Sequence, residues 1–142
     1  LGDGTGAIRV RRKLEVARGA GAAGIREQIA RNVPELLRDG PVAAVGVGFG
    51  GPVDWRTGRI CLSHQIEGWS EFDLAGWLGG IAGAPVFVDN DGNVAALGEA
   101  RRGAGAGKGA AVGAAKCSSK PDFSFTNRSA GSLKYFFNTS SI

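Results

Sequence analysis

Apolar and polar residues alternate from position 7 to position 17, with Ile8, Val10, Leu14 and Val16 on one side and Arg9, Arg11, Lys13 and Glu15 on the other. That alternation is the signature of a half-buried strand, and only Arg12 interrupts its apolar face. The glycines of Asp3-Gly-Thr-Gly6 suit a tight turn, so the segment reads as a hairpin leading into the strand. Ile25, Ile29, Val33, Leu36 and Leu37 then recur at helical spacing as far as Gly40, where a C-cap glycine belongs. Pro34 sits inside that pattern without an N–H to donate, which predicts a kinked or divided helix. Pro41 to Gly48 is an unbroken apolar run suited to a central strand covered on both faces. Phe49-Gly-Gly-Pro52 ends it, and Val53 to Leu62 reads as a hairpin turning at Arg56-Thr-Gly58. Ser70-Glu-Phe-Asp73 has the form of a capping box before a helix whose core face is Leu74, Trp77, Leu78 and Ile81. A short buried strand at Pro85-Val-Phe-Val88 and a helix from Asn93 to Arg102, stopped by Gly103, complete the pattern.

Composition adds a boundary to this α/β pattern. A chain of 142 residues, 43% apolar and 21% charged, has enough material to bury a core as one soluble globular domain. Its last part departs from the rest. Of the 25 glycines, 24 precede residue 116, whereas four of the seven phenylalanines and seven serines follow it. We therefore assign 1–115 to the folded domain and 116–142 to a tail of unrelated composition, such as a frameshift or a junction, with a genuine final strand as the other reading. The formal charge of +4 is modest, and its basic residues are scattered without interleaved aromatics, which argues against a nucleic-acid partner. No apolar run approaches the ~18 residues of a membrane span. The two cysteines, Cys61 and Cys117, are too distant for a CxxC pair and too few for a disulfide framework, which points to a reducing, cytoplasmic setting. Methionine is missing even from position 1, so the sequence reads as an internal or truncated piece.

Several motifs invite a chemical reading. Gly46-x-Gly48-x-x-Gly51 matches the dinucleotide fingerprint, yet the helix that must begin inside the motif has no counterpart in Gly51-Pro-Val-Asp-Trp-Arg-Thr-Gly58. Gly103-Ala-Gly-Ala-Gly-Lys-Gly109 has Arg102 where a Walker loop needs its first glycine and Gly109 where it needs a hydroxyl, so a flexible connection is the better reading. His64 is the only histidine, and neither a triad nor a zinc-ligand pattern surrounds it. Trp69 suits either ligand stacking or core packing, and core packing is the commoner outcome. Asn90-Asp91-Gly92-Asn93 carries more, because side chains just past a parallel strand and at the start of the next helix face the crevice where α/β proteins bind ligands. There Asp91 would be an anion favoured by the helix dipole, and Asn90 would offer a donor and an acceptor for vicinal hydroxyls. Plain turn chemistry and helix capping explain the tetrapeptide equally well.

Taken together, Val45-Gly-Val-Gly-Phe-Gly-Gly-Pro-Val-Asp54, Gly68-Trp69, Val86-Phe-Val-Asp-Asn-Asp-Gly-Asn-Val-Ala-Ala-Leu-Gly-Glu99 and Gly103-Ala-Gly105 resemble, in order and spacing, the ROK family of sugar kinases and sugar-responsive repressors. The resemblance runs over residues 7 to 112. It implies an actin-like, ribonuclease H-like ATPase fold of two lobes, with this chain supplying an incomplete N-terminal lobe. It also implies that Asp91 takes the proton from a sugar hydroxyl attacking the γ-phosphate of Mg·ATP, while Asn90 and the backbone around Gly51 bind sugar hydroxyls. The expected function is therefore that of a fragment of a glucokinase-like, ATP-dependent hexose kinase acting on a small-molecule sugar, with a homo-oligomer open for the complete protein.

The chain departs from the family pattern in ways that bear on activity. The family's opening Asp-x-Gly-Gly-Thr phosphate loop is missing or reduced to Asp3-Gly-Thr-Gly6. The Gly-Thr-Gly-rich ATP loop, the Glu-x-Gly-His motif and the cysteine-rich zinc site do not appear after residue 112, and the usual Pro-Gly is Gly50-Gly51. With the nucleotide loops absent, the fragment is expected to be inactive by itself. A sugar-binding portion of a repressor and a non-functional remnant are the alternatives, although residues 1–40 hold no helix-turn-helix pattern.

Overall fold

A computed structural model describes residues 1–16, 18–63, 65–103, 106 and 136–138. The apolar run in the middle of the chain forms β1 (Val45–Phe49), buried at every position as a strand covered on both faces must be. It starts at Val45 because its partner does. In β4 (Val86–Asn90) the parallel register runs from Val45 opposite Val86 to Phe49 opposite Asn90, and Pro41 to Ala44 have no ladder to join. On the other edge of β1 lies β5 (Phe136–Asn138), also parallel, giving the order β4-β1-β5. The expected boundary between 115 and 116 falls outside the described residues.

The hairpin read at 53–62 is present as β2 (Val53–Asp54) and β3 (Arg59–Ile60), paired antiparallel. Asp54 shapes its turn by accepting from the Arg56 N–H at 3.1 Å and the Thr57 hydroxyl at 2.9 Å, while Gly58 closes it at φ +70°. Helix α1 (Gly21–Leu36) carries Pro34 in its last turn, so the missing donor ends the helix instead of dividing it. Helix α2 (Leu74–Ala82) is capped by Asp73, whose carboxylate accepts from the Gly76 N–H at 2.9 Å, and not by Ser70. Gly83, in the left-handed conformation, stops it. Helix α3 (Asp91–Arg102) follows β4 without an intervening residue and ends at Gly103.

One core holds these elements together. Val45, Val47 and Phe49 of β1 and Val88 of β4 pack with Ile25 and Val33 of α1, Leu74 and Leu78 of α2, and Val53 and Ile60 of the hairpin. No helix among the described residues is long and apolar enough to cross a membrane.

The alternating segment at 7–17 is the main departure from the sequence reading. Ile8 is 71% exposed, Val10 41% and Leu14 43%, and among the described residues the segment's pairing is a single antiparallel bridge between Gly2 and Ile8. Alternation decides which side chains a strand would bury, but forming one takes a partner backbone, and Leu1-Gly2 offers only the first bonds of a ladder. The turn itself is well made, since Asp3 accepts from the hydroxyl and N–H of Thr5 and from Arg9, which holds its carboxyl well below the usual carboxylate range. Beyond it the chain lies on α1. Arg12 hydrogen-bonds Glu35 at 2.7 Å, and the Glu15 carbonyl accepts from Gln28 at 2.9 Å.

Candidate functional site

Parallel pairing brings the C-terminal ends of β1 and β4 side by side, so the chain leaving β1 at Gly50 and the helix starting at Asp91 share one edge of the sheet. This is where α/β sheets form their ligand crevices. The junction after β4 is unusually short: the strand runs through Asn90 and the helix begins at Asp91, where the sequence reading had placed a turn. Asn90 makes this possible. Its side-chain oxygen caps α3 by accepting from the Gly92 N–H at 3.0 Å, and its amide nitrogen donates to the carbonyls of Gly51 at 3.1 Å and Phe49 at 3.4 Å. One side chain thus ties the loop after β1 to the start of α3.

Asp91 is partly buried in the first turn of α3, with one carboxylate oxygen accepting from the Gly92 N–H at 2.8 Å. The positive end of the helix dipole lies beside it. Its other oxygen faces the glycine loop, because a methyl group placed on Gly50 would lie 3.7 Å from Asp91 Oδ2. The carboxylate therefore stands beside exposed backbone rather than on a remote surface. Such a site can accept a hydrogen bond from a hydroxyl lying across Gly50.

The two glycines of the loop differ. A Cβ on Gly51 would come 2.9 Å from the Leu62 carbonyl oxygen and 3.1 Å from the Phe49 ring, so packing alone demands glycine there. Gly50 has ordinary room, and its lack of a side chain leaves the space before Asp91 open. The sequence reading singled out Gly51, and the distinction between the two was not visible from the letters.

Two further residues at the junction also escaped the sequence reading. Asn93 is the one buried polar side chain among the described residues, 7% exposed, and donates to Asp89 Oδ1 at 2.9 Å. The same oxygen accepts from the Asn90 N–H at 2.7 Å. Their separation by four positions across a strand-to-helix junction was the available signal.

Other candidates resolve differently. Trp69 is 3% exposed and packs edge-on against Phe49 and Phe72, with Arg26 stacked over it, so it belongs to the core and not to a ligand platform. No helix follows the Gly46-x-Gly48-x-x-Gly51 run; the β2–β3 hairpin does, which removes the dinucleotide reading. His64, Cys117 and most of Gly103–Gly109 lie outside the described residues.

A family model of the ROK family matches residues 1–114, which is most of the chain. The chain belongs to the ROK family. Among curated relatives, it is 45% identical over 65 residues to a glucokinase of Halalkalibacterium halodurans, covering 44% of this chain and 19% of that protein. It is 34% identical over 86 residues to a glucokinase of Thermotoga maritima, covering 58% of this chain and 27% of that one. The chain thus spans about a fifth to a quarter of the curated ROK relatives it matches. A solved ROK family glucokinase from Streptomyces griseus, in complex with glucose and AMPPNP, superimposes with a TM-score of 0.57 at 36% identity, over 66% of this chain and 30% of that one. An inorganic polyphosphate/ATP-glucomannokinase from Arthrobacter gives 0.55 at 31% identity, over 69% and 41%. The α/β arrangement described above is part of the actin-like ATPase fold of these ROK proteins.

Proposed function

We propose that this chain is the sugar-binding part of an ATP-dependent, glucokinase-like sugar kinase of the cytoplasm, and that Asp91 is its base. The observation that carries the reading is the placement of the Asp91 carboxylate beside Gly50, at the sheet edge where β1 and β4 end. A sugar hydroxyl lying against the exposed backbone of Gly50 would donate to Asp91 Oδ2. As the hydroxyl oxygen attacks a phosphoryl group, Asp91 takes its proton, and the N–H of Gly92 holds the carboxylate oriented beforehand. Phosphoryl transfer depends mostly on such positioning, so an acceptor held in line is the main contribution these residues make. Asn90 and the backbone of the Gly51 loop form the wall of the sugar site. Support for the class of substrate comes from the glucokinase relatives and from the glucose bound in the Streptomyces griseus structure.

The phosphoryl donor in this reading is Mg·ATP. Among the described residues the glycine run after β1 leads into a hairpin and not a helix N-terminus, so it does not form a phosphate cradle of that kind. The described part of the chain is therefore expected to bind sugar without binding nucleotide. Isothermal titration of the 142-residue protein is expected to give a glucose affinity on the order of millimolar and no measurable heat with Mg·ATP. No heat with glucose, or tight binding of Mg·ATP, would overturn the proposal.

A further inference from the structure

The junction that presents Asp91 is clamped from both sides by a single carboxylate oxygen. Asp89 Oδ1 accepts from the N–H of Asn90, immediately before Asp91, at 2.7 Å, and from the side-chain amide of Asn93, in the first turn of α3, at 2.9 Å. Asn93 is 7% exposed, and burying an amide at that depth is unfavourable unless a partner is supplied. A leucine or alanine would fill such a helix position without that requirement. The buried polar pair therefore contributes geometry in addition to packing: it fixes the turn from β4 into α3 across the one residue whose direction matters for the sugar site. The bond between Asp89 and Asn93 is separate from the one by which Asn90 reaches Gly51.

We infer that Asp89 and Asn93 are a positioning pair that aims the Asp91 carboxylate at the space over Gly50. This rests on the sugar-site reading of Asp91 given above. The pair acts through the backbone of residues 90–92. Without it the helix can still form, since Asn90 caps it, but the backbone of residues 90–92 can turn and carry the carboxylate away from the loop. An error of that size at a reacting group is worth about a hundredfold in rate and a smaller factor in binding.

The test is a glucose titration of the full 142-residue chain and three variants, Asn93→Ala, Asn93→Asp, and the exchanged double variant Asp89→Asn/Asn93→Asp. Asn93→Ala is expected to weaken glucose about tenfold. Asn93→Asp sets two carboxylates against each other, so it should be as weak at neutral pH and regain affinity near pH 4, relative to the unsubstituted chain, as the two come to share a proton. The exchanged variant keeps one amide donor and one carboxylate with their places reversed, and should bind within about threefold of the original at both pH values. A purely structural role would shift the unfolding midpoint without this pattern of affinity and its restoration. Single variants that bind glucose as the original does, or an exchanged variant as weak as the singles, would overturn the inference while leaving the sugar site intact. An unsubstituted chain that binds no glucose removes the sugar site and this inference with it.

Discussion

Replacing Asp91 with asparagine is expected to lower phosphoryl transfer by about 10²- to 10⁴-fold, the range that removal of a general base produces, while sugar affinity changes by less than about threefold. The asymmetry follows from the site. Asparagine keeps the shape of the side chain, with its oxygen accepting from Gly92 N–H and its NH2, in the place of the second carboxylate oxygen, donating to the sugar hydroxyl oxygen, so the bound state changes little. What it cannot do is take a proton. The loss therefore falls on kcat and leaves KM nearly unchanged, and steady-state kinetics of a full-length ROK kinase carrying this segment will separate the two. A variant turning over at the normal rate would remove Asp91 from the role of base.

The second large effect concerns the hairpin that backs the site. Gly58 is at φ +70°, and a Cβ there would come 2.2 Å from the Cβ of Ala75 at the start of α2. Alanine at this position meets two separate penalties. The left-handed conformation costs about 1–2 kcal/mol for a residue with a Cβ, and the overlap forces α2 away from the hairpin at a cost of about 1–3 kcal/mol. Gly58→Ala should thus lose roughly 2–5 kcal/mol, a large share of the stability of a small domain. Urea unfolding followed by circular dichroism measures it. A midpoint equal to that of the original chain would show that the hairpin does not pack on α2 as described.

Much of the architecture was legible because it is written in local chemistry. The apolar run at β1, the turn at Arg56-Thr-Gly58 and Gly103 after its helix each combine a period with a stop signal that adjacent residues supply. What the sequence did not disclose depends on partners distant in the chain. Residues 7–17 have the alternation of a strand, but a strand exists only with a neighbour to pair with, and the described structure offers that segment one bridge. Ser70 looked like a cap because its spacing is right, yet the first free N–H of α2 lies within reach of Asp73. In the site, the position of Asp91 was readable from the rule for strand ends, while the division of labour between Gly50 and Gly51 arises from the Leu62 carbonyl and the Phe49 ring packed on one and not the other. Asp89 and Asn93 escaped notice for a similar reason: their bond spans a strand end and a helix start, and neither periodicity reports on it.

All of this depends on a sugar occupying the gap between the Gly50-Gly51 loop and the first turn of α3. The most direct measurement is the ¹H–¹⁵N amide spectrum of the chain during a glucose titration. The expected result is a set of concerted shifts centred on the amides of Gly50, Gly51, Asp91 and Gly92, with Gly83, which ends α2, and Gly40, in the turn after α1, unmoved. Shifts confined to other parts of the chain, with those four amides unchanged at saturating glucose, would contradict it.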